Sequence, residues 1–159
     1  MKNTTLLFLV KKEEGKITDI CLAMKKRGFG AGRWNGVGGK VEGGESVAEA
    51  TIRETKEEIG VTAKNLEKVG EVFFSFKFKP EWNQTVHIYV TEVWDGEPLE
   101  SEEMSPVWHT TDAIPYVDMW PSDTFWLPKV LEGNKIKGDI LLGEKDVILE
   151  EKVEIVDII

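Results

Sequence analysis

The 159-residue chain has a single cysteine, Cys21, so neither an internal disulfide framework nor a zinc site of several thiolates can be built from it. With no signature of an oxidising compartment, a reducing cytoplasm is the expected location. Histidine is nearly as scarce: His87 and His109 have no partner histidine at ligand spacing. Long apolar runs are missing as well. The run Leu6 to Val10 is closed by Lys11-Lys12, too short for a secretory leader and lacking a small-residue cleavage site. Nothing approaches the roughly 20 apolar residues of a membrane span. Positive charge is outnumbered, 20 Lys+Arg against 29 Asp+Glu, and the net −9 argues against a duplex nucleic-acid surface. There is no internal repeat, low-complexity tract or linker, so residues 1–159 are expected to form one domain and a monomer.

What is present describes an ordinary globule, 41% hydrophobic and 31% charged. Its charge is unevenly spread: residues 1–40 hold nine basic and three acidic residues, residues 41–60 two and six. Strands are expected at Thr4–Lys11 and Asp19–Met24, with the turn at Glu13-Glu14-Gly15-Lys16. Further strands are expected at Val69–Phe78, Val86–Trp94, Gly138–Leu142 and Val147–Val156, and a second helix at about Asp123–Leu131. That order suggests one mixed-sheet α/β or α+β domain. Between the early strands and the first helix lies a basic, glycine-rich stretch, residues 25–44, interrupted by Phe29, Trp34 and Val37. A flexible linker has little reason to hold those side chains, whereas such a backbone can come close to phosphate oxygens.

Ser46-Val47-Ala48-Glu49 forms a capping box and Gly60 a left-handed stop, which predicts a helix over Val47–Ile59. Helical geometry places Ala48, Ile52, Thr55 and Ile59 on a stripe expected to face the core. Glu54, Glu57 and Glu58 share a neighbouring arc about 100° wide. Three carboxylates at these spacings repel, so a solvated face, a clamp by Arg53 or a hard divalent cation must relieve them.

The stretch from Gly39 through Glu45 to Arg53-Glu54-Thr55-Lys56-Glu57-Glu58-Ile59-Gly60-Val61 resembles the Nudix box. The likeness extends through residues 24–45, 96–104 and 117–126 to the oxidised-purine nucleoside triphosphatase branch of that family, related to MutT. It implies an α/β/α sandwich with a mixed sheet and the hydrolysis of 8-oxo-dGTP or 2-hydroxy-dATP to monophosphate and pyrophosphate. It further implies Mg²⁺, with Mn²⁺ as the alternative ion, held by Glu54, Glu57, Glu58 and the Gly38 carbonyl. Glu57 or Glu58 would polarise the attacking water, and Arg53 would orient a glutamate. Glu103 would complete the metal shell or act as base, and Lys25 would meet phosphate.

The resemblance places base recognition at Asn35, Asp123 and the Trp120 face, with Phe29, Phe74, Phe76 and Trp126 as walls. Two departures from the family pattern stand out. Thr55 replaces a larger aliphatic residue. Ser122 stands where the animal-type pattern has a second aspartate beside Asp123, so the coupled acid pair is lost and the base preference is expected to narrow or shift. The competing functions are hydrolysis of another nucleotide (a methylated purine or ordinary dNTP, or a dinucleoside polyphosphate) and a non-catalytic nucleotide-binding module.

Overall fold

The computed structural model describes residues 2–159. Strands β1 (Lys2–Glu13) and β2 (Lys16–Lys25) form a hairpin whose turn residues Glu14 and Gly15 both have positive φ, at 51° and 81°. Two positive φ angles in a two-residue loop match the right-handed twist of the strands, and glycine makes the second one easy. The hairpin then splits. β1 pairs with β2 only from Val10 to Glu13. Toward the other end of β1 the glycine-rich stretch takes that place. Its short strand β3 (Trp34–Asn35) pairs with Ala23 and Met24 of β2, while Val37 and Lys40 bridge to Leu7 and Thr4 of β1.

Glycine is required in this wedge for want of space. A Cβ on Gly38 would lie 1.8 Å from the Thr5 carbonyl oxygen, and one on Gly36 2.7 Å from that of Leu7. Backbone bonds from Leu7 N–H to the Val37 carbonyl (2.7 Å) and from Thr5 N–H to the Gly39 carbonyl (2.8 Å) use that closeness.

The remaining main strands are β5 (Glu67–Phe76), β6 (Gln84–Thr91), β9 (Lys135–Leu142) and β10 (Ile148–Val156). They extend the sheet in the order β10-β9-β5-β6-β1-β2-β3, in which β1/β6 and β5/β9 are parallel. The far edge of β2 pairs with β8 (Met104–Thr110). A separate ribbon joins β4 (Thr62–Lys64) to β7 (Val93–Asp95).

Alternation along β1 sends Leu7 and Leu9 to one core and Phe8 and Val10 to the other. Helix α1 (Val47–Ile59) closes the first with Ile59, and α2 (Asp123–Leu131) closes the second with Trp126, Leu127 and Val130. The result is a mixed sheet between two helices. Among the described residues, no helix is long and apolar enough to cross a membrane.

Three expectations need correction. The predicted strand Val86–Trp94 breaks after Thr91. There the Thr91 hydroxyl takes the Val93 N–H (3.0 Å) and donates to the Lys64 carbonyl, turning the chain out of the main sheet into β7. Strands β4 and β8 were not anticipated. The buried face of α1 also differs from the expected stripe: Ala50, Thr51, Thr55 and Ile59 are buried, while Ile52 is exposed. The helix is rolled toward its glutamate side, which packs on the glycine wedge. Thr55 is fully buried with its hydroxyl satisfied, donating to the Thr51 carbonyl at 2.8 Å.

Candidate active site

Helix α1 presents its carboxylates to the wedge because its ends are fixed. Ser46 Oγ accepts the Glu49 N–H at 3.1 Å, and Glu49 accepts the Ser46 N–H at 2.9 Å. The Gly60 cap has φ 73° and returns its N–H to the Lys56 carbonyl. Within that frame Arg53 works as a clamp. It grips both oxygens of Glu45 (2.7 and 3.0 Å), Glu54 Oε1 (3.0 Å), Glu57 Oε2 (3.3 Å) and the Lys40 carbonyl (3.1 Å).

The fork holds the Glu45 carboxyl at about 2, and Glu45 in turn is the main cause that raises the guanidinium. Glu45 stood in the motif but was given no role; its part is to hold the clamp. Glu54 lies directly against Gly39, where a Cβ would come within 2.5 Å of its carboxyl carbon.

Glu58 sits deeper, with its Oε2 accepting the Gly38 N–H at 3.4 Å. Burial first, then the charge of Glu54, pushes its carboxyl up to about 7, against the pull of the Gly38 N–H and Lys25. Glu57 is largely exposed and turned toward Arg53, and Glu103 is exposed with Oε1 3.6 Å from Arg27. The charge of Glu103 nonetheless reaches Glu58. Among the described residues, no three Asp, Glu, His or Cys side chains form a ready-made metal cage.

A cavity of about 340 Å³ passes through the split in the sheet. Lys25, Gly38 and Glu58 line it on the α1 side, and Phe29, Phe74, Phe76, Trp120, Ser122, Asp123 and Trp126 on the α2 side, with Asn35 between. All the residues expected to meet substrate are therefore gathered in one space, whereas Arg53, Glu54, Glu57 and Glu103 stay outside its lining. Asn35 Oδ1 accepts the Gly36 N–H at 2.8 Å, which leaves its NH2 to donate to a ligand.

Ser122 is buried and makes no capping bond to α2. Asp123 is 4% exposed, and its Oδ2 has no hydrogen-bond partner among the described residues. Burial pushes its carboxyl up to about 7, opposed by Trp120, Trp126 and Arg33. Two residues of this end were not anticipated. Arg33 and Asp146 line the cavity together, 113 positions apart in the chain, and no local pattern announces such a pair.

The comparisons with known proteins agree with this architecture. The NUDIX domain family matches residues 1–130. A mouse protein named oxidized purine nucleoside triphosphate hydrolase is 45% identical over 138 residues, spanning 87% of this chain and 88% of its own. Its zebrafish counterpart is 44% identical over the same shares. The solved structure of a mutator MutT protein from Bacillus halodurans superposes with a TM-score of 0.82 at 25% identity, covering 97% of this chain and 98% of that one. With the family matched over most of its length and two relatives of this identity, the chain belongs to the NUDIX domain family.

Proposed function

We propose that this chain is an enzyme that hydrolyses oxidised purine nucleoside triphosphates, of the 8-oxo-dGTP and 2-hydroxy-dATP type, to the monophosphate and pyrophosphate. The observation that carries the reading is one continuous cavity through the split sheet, with Asp123 at one end, Glu58 at the other and Asn35 between. A purine at the first end directs its phosphates toward the second. The names of the mouse and zebrafish relatives support the same substrate class.

The carboxylate end suits a divalent cation, Mg²⁺ in this reading. Glu54 and Glu58 are close enough for one charge to raise the other carboxyl, and a positive ion relieves that repulsion. The missing side chain at Gly39 lets the Glu54 carboxylate pack directly on the glycine wedge. Among the described residues no three Asp, Glu, His or Cys side chains stand together, so waters and the substrate's own phosphates would have to complete the ion's shell. Glu54 would hold the ion, with Glu57 and the Gly38 carbonyl as further donors, which leaves Glu58 free to act as base. When bound, such an ion neutralises phosphate charge and acidifies water.

The chain's own residues do the rest. Glu58, poised near neutrality inside the cavity, takes the proton of the attacking water. Arg53 keeps Glu54 and Glu57 in place, and Lys25 meets the phosphates. Asn35 donates to the base edge, while Asp123 offers either a proton or a lone pair.

Pyrophosphate release from a panel of 8-oxo-dGTP, 2-hydroxy-dATP, dGTP and dATP, with Mg²⁺ present, tests the reading. The expected order puts the oxidised purines first in kcat/KM. Release from the ordinary nucleotides alone would move the function to another substrate, and binding with no release would make the chain a nucleotide-binding module.

A further inference from the structure

Arg33 stands where three segments meet at the base end of the cavity. Its Nη1 donates to the Met119 carbonyl at 2.9 Å, and its Nη2 lies 3.4 Å from Asp146 Oδ2. The guanidinium carbon is 4.3 Å from the centre of the Trp120 ring. Phe29, four residues earlier, stacks on the same indole at 5.3 Å and 27°, and a Cβ on Gly30 would sit 3.2 Å from it. The indole is thus gripped by the loop 29–33.

Asp146 comes from the turn between β9 and β10. There Lys145 and Asp146 are both left-handed, with φ 53° and 62°, a region uncommon for side-chain-bearing residues and tolerated best by Asp and Asn. The tight turn delivers the carboxylate that meets Arg33.

We propose that Arg33, braced by Asp146, is a specificity-determining positioning residue: it holds Trp120 as a wall of the base pocket and, by its charge, sets whether Asp123 meets an oxidised purine edge as donor or acceptor. This assignment rests on the function proposed above and adds the group that tunes its selectivity.

The geometry supplies both halves. A planar guanidinium can lie on an indole face while its fork bonds a carbonyl and a carboxylate, and a lysine cannot do all three. The second half follows from the surroundings of Asp123, whose Oδ2 is buried without a partner among the described residues. Burial raises this carboxyl, and Arg33 from the loop, the Trp120 backbone and the Trp126 indole lower it. Tyr116, on the turn before α2, is the other titratable neighbour, and its hydroxyl is itself raised by burial and by the charge of Asp123. Burial outweighs the rest and leaves the carboxyl at about 7, where removing one nearby positive charge shifts which form of it the base meets.

The test uses Arg33→Met, Arg33→Lys and Asp146→Asn. Two readouts are taken: the pH profile of 1/KM for 8-oxo-dGTP, and the ratio of kcat/KM for 8-oxo-dGTP over dGTP. Arg33→Met should move the profile's midpoint upward by a few tenths of a pH unit and lower the ratio about tenfold, mostly through KM. Arg33→Lys should restore the midpoint while the ratio stays low. Asp146→Asn, which leaves Arg33 present but unbraced, should lower the ratio about threefold.

A wild-type protein that hydrolyses 8-oxo-dGTP, with a folded Arg33→Met that keeps the wild-type midpoint and ratio, would overturn the role of Arg33 alone. Should Arg33→Met fail to fold, Asp146→Asn with an unchanged ratio would overturn it. A wild-type protein that turns over no oxidised purine triphosphate would overturn the base assignment and this inference with it.

Discussion

The two ends of the cavity are built on opposite terms. Beside the carboxylate end, just outside the cavity lining, Arg53 alone joins Glu45, Glu54, Glu57 and the Lys40 carbonyl, so part of the acidic charge is answered within the protein. At the base end Asp123 is buried with one oxygen that no described residue bonds. A hydrogen-bonded clamp holds its shape without ligand, whereas a polar atom left short in an apolar surround gains most when a complementary edge arrives. The first arrangement suits positioning for chemistry and the second suits discrimination between bases.

Four substitutions test that contrast, from the largest expected effect to the smallest. Glu58→Gln should lower kcat about 1,000-fold in a pyrophosphate assay while the melting temperature holds or rises, since a carboxyl raised by burial opposes folding when ionised. A loss of less than tenfold would assign the base elsewhere, with Glu57 next. Gly38→Ala places a Cβ 1.8 Å from a backbone oxygen that no rotamer can move, and urea unfolding should show a loss of about 3 kcal/mol. Wild-type stability in that variant would mean that the wedge is not tightly fitted.

Ser122→Asp acts only at the base end. It sets a second buried acid beside Asp123 and should change the kcat/KM ratio of 8-oxo-dGTP to 2-hydroxy-dATP by about fivefold. An unchanged ratio would free Ser122 from any part in selectivity.

Glu45→Gln should show mainly in acid. The Glu45 carboxyl sits near 2 in the folded protein against an ordinary 4.5. A lowered acid contributes stability that is present above its unfolded value and is lost as pH falls from about 4.5 toward 2. Melting curves across that window should flatten in the variant, and an equally steep acid limb would place the linkage on other carboxylates.

Local signals were the legible ones. Ser46, Glu49 and Gly60 encode the ends of α1 within a single segment, and both ends stand as the spacing predicts. The buried face of that helix was misread because apolar counting favoured Ile52, while the wedge selects the side bearing Glu54 and Glu58. Strand β8 was hidden for a related reason: Pro106 interrupts its run and its partner β2 lies some 80 positions earlier, so only the assembled sheet reveals it. The glycine-rich stretch was legible as a ligand loop, but its place between β1 and β2 was not. Arg53 was readable as a clamp from its spacing to Glu57, yet its shortest contact is to Glu45, eight residues away and off the helix.

Strand β1 gives both ends a common ruler. Thr5 offers its carbonyl side to Gly38 and its hydroxyl to the Gly39 N–H, while Leu6 lines the cavity and Phe8 lies 6.1 Å from the Trp126 ring. Neighbouring residues of one extended segment thus calibrate chemistry on one face and base choice on the other. A slip of one residue would exchange the faces and spoil both sites together. Backbone adjustment therefore offers no way to retune one property alone, and independent change is left to side chains such as Ser122 and Arg33 that hang from other parts of the fold.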